Sequence, residues 1–256
     1  MVVLQRIPIY NPVSEVYATM TQTEQVIDTM KRLGGVATFG KLNSEVDFSS
    51  WETKTPEASV RRIVQNSSAF FRLRPGLWAL KEYENEALSR FNLGSGNETN
   101  EIEFSHTYFQ GLVVEVGNYR GLETFVPNQD KNKDFIGRPL REVAQVQDIY
   151  QFSYTEIVNR AKTIDVIWFN DRRMPSAFFE IEHSTDIQNS LLKYFELQDF
   201  NADFYIVADA YRHNKFNEII SRSVFKPIKE RVKFRSYEAL SIIHDQAFRQ
   251  TQADAL

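Results

Sequence analysis

The stretch FFEIEHS, residues 178–184, constrains the fold more than any other part of this chain. Two phenylalanines announce a core strand, and a strand sends successive side chains to opposite faces. Glu180 and Glu182 therefore share one face, while Phe179, Ile181 and His183 share the other. Asp165 lies fifteen residues before Glu180, in a second strand-forming run, TIDVIWF, and the turn DRRMP joins the two runs. A hairpin of these strands can bring Asp165 to the acids. Three carboxylates at one place repel one another unless a cation neutralises them or one keeps its proton. Hard oxygen ligands of this kind suit Mg²⁺ or Mn²⁺. The bland alternative is a set of surface salt bridges, with Arg172 or Arg173 pairing Asp165 or Glu180.

Composition narrows the chemistry. The chain has 256 residues and a net charge of -4, so any nucleic-acid surface has to be local. It has no cysteine, which excludes disulfides, thiolate metal sites and cysteine nucleophiles and fits a cytoplasmic setting. The opening MVVLQRIPIYNPVSEVYATM has no long apolar run, so neither a signal peptide nor a membrane span is expected. Neither G-x-G-x-x-G nor G-x-x-x-x-G-K-[ST] occurs, which removes the common phosphate-cradling loops.

The acidic stretch EYENEALSRFNLGSGNETNEIE, residues 82–103, reads as a linker, placed at 84–103 between domains 1–83 and 104–256. Before it, TQTEQVIDTMKRLGG predicts a helix opened by a Thr21/Glu24 capping box and stopped at Gly34 and Gly35. A short helix is expected in ATFGKLNSEV, and another in TPEASVRRIVQN with Thr55 as N-cap and Pro56 first in the helix. AFFRLRPGLWALKEY alternates on both sides of RPG, as a hairpin does. The words VIDTMKRLGGVATFGKL, TKTPEASVRRIVQN and FFRLRPGLWAL resemble the winged helix-turn-helix family, in particular its HARE-HTH branch. The resemblance implies that Arg61 and Arg62 approach a DNA groove and that Arg72 and Arg74 lie on phosphates. From Thr21 to Tyr83 nine Lys/Arg stand against seven Asp/Glu, so this module is only weakly basic, and the arginines can equally be a solvated surface.

The rest predicts a helix in SHTYFQGLVVEVGNYRG, a strand in ETFVPN, and a polar insertion with one small helix over QDKNKDFIGRPLREVAQVQD. Helix SYTEIVNRAK, the two acidic strands, helix DIQNSLLKYFELQDF and strand ADFYIVADA follow. A helix in FNEIISRSVFKPIKERV up to Pro227, an edge strand and a last helix close the chain. This is an α/β (α+β) protein: a winged helix, then a mixed sheet flanked by helices. An Asp, a loop, Glu-x-(Lys or Glu) on the next strand and then a helix resembles the PD-(D/E)XK nucleases over residues 104–245. The resemblance assigns metal binding to Asp165 and Glu180 and puts Glu182 where the family usually has lysine. Ile164 stands where the family has proline. Lys193 can substitute for the strand lysine, Gln188 is a second candidate from the same helix, and Glu115 can supply an acid from the first helix. Alternation makes His183 structural, and His106 and His213 have no partner at ligand spacing. Lys226 and Lys229, with Arg222, Arg231, Lys233 and Arg235, form the best basic patch, suited to backbone phosphates or simply to water.

These readings lead to a Mg²⁺- or Mn²⁺-dependent endonuclease of the restriction or defence type, acting on double-stranded DNA. Double-strand cutting by one-strand sites suggests a homodimer. Two alternatives stay open: a DNA-binding regulator whose nuclease fold has lost activity, and a metal-dependent phosphodiesterase acting on RNA or a nucleotide.

Overall fold

A computed structural model describes residues 20–91, 93, 98–183 and 186–254. Residues 1–19 of the expected first domain and opening segment, and the GSGN at the centre of the expected linker, lie outside the described residues. The chain divides into two compact units, Met1–Ala87 and Leu88–Leu256. Among the described residues no helix is long and apolar enough to cross a membrane.

In the first unit, helix α1 (Gln22–Arg32) opens with the expected reciprocal cap between Thr21 and Glu24, and Val26 and Met30 are buried beneath it. Gly34 and Gly35, at φ 80° and 81°, end it in the left-handed region that favours glycine. Strand β1 (Val36–Thr38) precedes helix α2 (Phe39–Glu45), so Ala37 and Thr38 are extended rather than helical. The reason is a cap: the Thr38 hydroxyl accepts the Lys41 N–H at 3.3 Å, which starts the helix one residue later. Helix α3 (Pro56–Asn66) has Thr55 at its N-cap position and Pro56 first, but the Thr55 side chain makes no capping bond. Strands β2 (Phe70–Arg74) and β3 (Leu77–Leu80) form the expected hairpin, with Gly76 at φ 82° in its turn, and β1 completes the order β1-β3-β2.

The expected linker is largely secondary structure. Helix α4 spans Glu84–Arg90 and helix α5 spans Glu98–Tyr119. Phe91 and Leu93 are buried, and the Phe91 ring lies 4.6 Å from that of Phe104. These three apolar side chains outweighed the acidic composition, because the glutamates need only the exposed faces.

The second unit is built on a five-stranded sheet of order β10-β9-β8-β7-β4. Strands β4 (Glu123–Phe125), β7 (Val166–Phe169) and β8 (Pro175–Glu182) run antiparallel to their neighbours in turn, whereas β8, β9 (Asp203–Ala208) and β10 (Val232–Ser236) run parallel. Before β7, the polar insertion holds a two-stranded hairpin, β5 (Asp134–Phe135) and β6 (Arg138–Pro139), besides its small helix α6 (Leu140–Val143). Helix α7 (Thr155–Ala161) follows. Parallel neighbours need helical crossovers, and α8 (Ile187–Glu196) and α9 (His213–Ile220) supply them. Helix α9 stops at Ile220, short of Pro227, and a single 3₁₀ turn at Ser223–Phe225 follows it. The last helix, α10, runs from Tyr237 to Asp254.

Alternation sorts the core. Phe178, Phe204 and Ile206 pack with Leu191 and Tyr194 of α8. Phe179 packs on Trp168 and Tyr205 of the other face, and Trp168 donates to the Val113 carbonyl of α5 at 3.1 Å. The sheet is therefore covered on both faces, and whatever β8 carries on its α8 side has to be neutral, paired or functional.

Candidate active site

Asp165 immediately precedes β7. Val166 pairs with Phe179, so the antiparallel register carries Asp165 to the level of Glu180. Its Oδ2 accepts the Ile181 N–H at 2.7 Å and lies 3.3 Å from His106 Nε2. Its backbone carbonyl accepts from Gln110 at 2.7 Å, and Gln110 also donates to Asp130 at 3.1 Å. Two residues one turn apart on α5 thus fix Asp165. His106 therefore has a partner after all, contrary to the sequence reading, because its partner lies 59 residues away in sequence. Burial opposes charging the His106 ring, but the Asp165 carboxylate outweighs it and raises the pKa.

Glu180 and Glu182 both point to α8, as strand alternation requires. Ser190 donates to Glu180 Oε2 at 2.9 Å and also bonds Glu182. Lys193, one turn further on, donates to both Glu180 oxygens at 3.0 and 2.8 Å and to the Thr163 carbonyl at 3.0 Å. Burial pushes the Glu180 carboxyl up to about 8; the charge of Asp165 adds to the rise, and Lys193 and Ser190 oppose it. Burial also raises Glu182, against the Ser190 hydrogen bond. His183 faces the other way and contacts the Tyr237 hydroxyl at 2.9 Å.

Several expected participants are elsewhere. Glu115 pairs with Arg138 at 3.0 Å and His244 at 2.7 Å. At about 100° per residue it stands about 180° around α5 from His106, so it turns away from Asp165. Gln188 is exposed and bonds Arg222; it is about 160° around α8 from Ser190, which occupies the face it was expected to use. Neither Arg172 nor Arg173 holds Glu180; Lys193 does, and Arg173 lies 5.0 Å from the Tyr150 ring. The expected cage of three acids is also absent: among the described residues no three His, Asp or Glu side chains are grouped to hold a metal ion. The physical reason is that Ser190 and Lys193 take up the glutamates while Ile181 takes up Asp165.

Of the expected DNA contacts, Arg62 and Arg72 are exposed, Arg61 lies 4.6 Å from the Phe39 ring, and Arg74 donates to the Leu73 carbonyl at 2.8 Å. Lys226 and Lys229 are exposed in the turns after Phe225. Ser190 and Gln110 were missed in the sequence. Ser190 was legible in hindsight, since it lies one turn before Lys193 on a helix facing an acidic strand.

Buried Glu180 and Glu182 thus lie on the strand where an antiparallel pair meets a parallel one, with Lys193 brought to Glu180 by the following helix. The chain belongs to the family described as the type II restriction enzyme NmeDI C-terminal domain, whose model matches residues 88–255. A curated relative, the type II restriction enzyme NmeDI of Neisseria meningitidis serogroup C, is 26% identical over 132 residues, covering 46% of this chain and 37% of that protein. The chain thus matches well under half the length of that relative. No solved structure matches.

Proposed function

We propose that this chain is a metal-dependent DNA endonuclease of the restriction type, with a PD-(D/E)XK-like site in its second unit and a winged-helix DNA reader in its first. The observation that carries the reading is the juxtaposition of Asp165 and Glu180 on paired chain segments with Lys193 on Glu180. The family match supports DNA as the substrate.

The donor set fits Mg²⁺ or Mn²⁺ even without a three-acid group. Mg²⁺ keeps several waters and uses one or two carboxylates besides the substrate phosphate. Asp165 and Glu180 would be those carboxylates. Glu180 is a buried acid that burial and Asp165 both disfavour as an anion, which is the electrostatic state a cation relieves. A bound divalent ion supplies an acidified water and charge stabilisation at the phosphate. Asp165 is kept in one orientation by Ile181, His106 and Gln110. Lys193 would bring a positive charge to the scissile phosphate from a helix rather than from β8. Ser190 fixes the spacing of Glu180 and Glu182. In the first unit, exposed Arg62 and Arg72 would contact DNA, with Arg61 and Arg74 beside them. Lys226 and Lys229 would meet backbone phosphates in the second. A homodimer would deliver the second strand's cut, and the lack of cysteine suits the cytoplasm.

The full chain with Mg²⁺ is expected to nick or cut duplex DNA and to stop on chelation. Asp165→Asn should lose roughly a hundredfold or more in rate with its circular dichroism unchanged. Full activity in that variant would overturn the site. A second reading, a regulator with an inert nuclease fold, draws on the closed Glu180–Lys193 pair. No Mn²⁺ binding by calorimetry at millimolar metal would favour it.

A further inference from the structure

Eight Lys and Arg residues fall between Tyr211 and Arg235, against two acids. Most have evident employment. Lys215 pairs with Glu218 at 2.9 Å, Arg222 with Glu218 at 3.6 Å and Lys233 with Asp203 at 2.8 Å. Arg231 donates to three carbonyls, and Arg235 lies 5.5 Å from the Tyr205 ring. Lys226 and Lys229 are exposed.

Arg212 is different. It is only 7% exposed, and its guanidinium has no hydrogen bond, ion pair or ring contact among the described residues; its backbone N–H donates to the Asp209 carbonyl at 3.0 Å. An arginine stays charged at every relevant pH, so burying it without a partner is costly unless a ligand supplies the anion.

Its position says which anion. Glu182 pairs with Ala208 across the parallel strands β8 and β9, and Arg212 follows four residues later. It therefore stands beyond the carboxyl ends of two parallel strands, the edge at which sheets of this type bind ligands and at which the acids lie. Its charge reaches Glu182, where it opposes the upward push of burial, yet the two form no ion pair. Neighbouring Tyr211 is an aromatic ring left 77% exposed.

We propose that Arg212 binds a backbone phosphate of duplex DNA beside Glu182, its planar fork taking two non-bridging oxygens. A cationic fork there offsets the repulsion between the phosphate and the acids. The identity of the anion rests on the nuclease reading above, whereas the burial of a guanidinium unpaired among the described residues does not.

The test uses the full chain and short random-sequence duplex DNA without divalent metal, titrated at several salt concentrations. Arg212→Met is expected to bind roughly tenfold more weakly. It should lose about one unit from the slope of log affinity against log salt. It should also melt no lower than the parent, because it removes an unpaired buried charge. Arg212→Lys should keep the slope but lose several-fold in affinity, since a point charge replaces the fork. Unchanged affinity in either variant overturns the inference, and so does a fall in melting temperature with no change in binding. Should the methionine variant not fold, the lysine variant decides alone. A parallel nicking assay with Mg²⁺ separates the two readings. Nicking with Arg212-independent binding sinks only this inference, and Arg212-dependent binding without nicking sinks only the nuclease.

Discussion

Lys193 donates to both carboxylate oxygens of Glu180, at 3.0 and 2.8 Å, although the two residues belong to different elements. The pair is enclosed: the side chains are 19% and 4% exposed. Removing one partner of such a pair leaves an uncompensated charge, and this is where stability and chemistry meet. Lys193→Met should destabilise the second unit by about 3 kcal/mol at alkaline pH and much less near pH 5, where Glu180 can take up a proton. Denaturant unfolding at both pH values checks this, and an equal cost at both would contradict the pairing.

Glu180 should also shape the stability curve of the metal-free protein. Its folded-state pKa is raised, to about 8, by burial and by Asp165. The folded state therefore holds the proton more tightly than the unfolded chain does. The stability this contributes is complete below the ordinary carboxylate pKa and is lost as pH rises through about 8. Glu180→Gln removes the titration, so its stability should fall less than the parent's between those limits. Parallel curves in chelator would remove the buried-acid account.

Helix α5 approaches the hairpin β5–β6 closely at one glycine. A Cβ on Gly111 would lie 2.1 Å from Cδ2 of Phe135, a ring that is itself fully buried. Gly111→Ala should cost about 1–3 kcal/mol through overpacking. Calorimetry should show a lowered melting temperature for the second unit. Because α5 also carries His106 and Gln110, nicking should weaken with it.

The first unit is expected to contribute phosphate contacts. Arg62 and Arg72 are both exposed. Replacing both with glutamine should reduce the salt slope of duplex binding by about two units while leaving the fold unchanged. An unaltered slope would assign this unit to another partner, such as a protein.

Much of this arrangement was readable in the residues themselves. The capping box at Thr21 and Glu24, Pro56 at a helix start and Gly76 in a hairpin turn are local signals, complete within a few residues. The shared face of Glu180 and Glu182 follows from the strand period alone, and both do meet Ser190. Lys193 was named through the family resemblance alone, which offered Gln188 equally, and only the rotation of α8 separated the two. Composition misled at 84–103, where Phe91, inside a run that looked like a solvated linker, is buried against Phe104.

The sequence by itself determined most of the elements, their inward faces and the acids that face α8, because each of these depends on neighbours a few residues apart. Only the tertiary structure decided who meets them. It brought His106 to Asp165, sent Glu115 to His244 and Arg138, left Gln188 on the surface and enclosed Arg212 without an ion-pair partner among the described residues. The reason is that the rotation of a helix about its axis against a sheet is set by the packing of the whole core. A difference of a few residues along α5 or α8 turns a side chain from the site to the solvent.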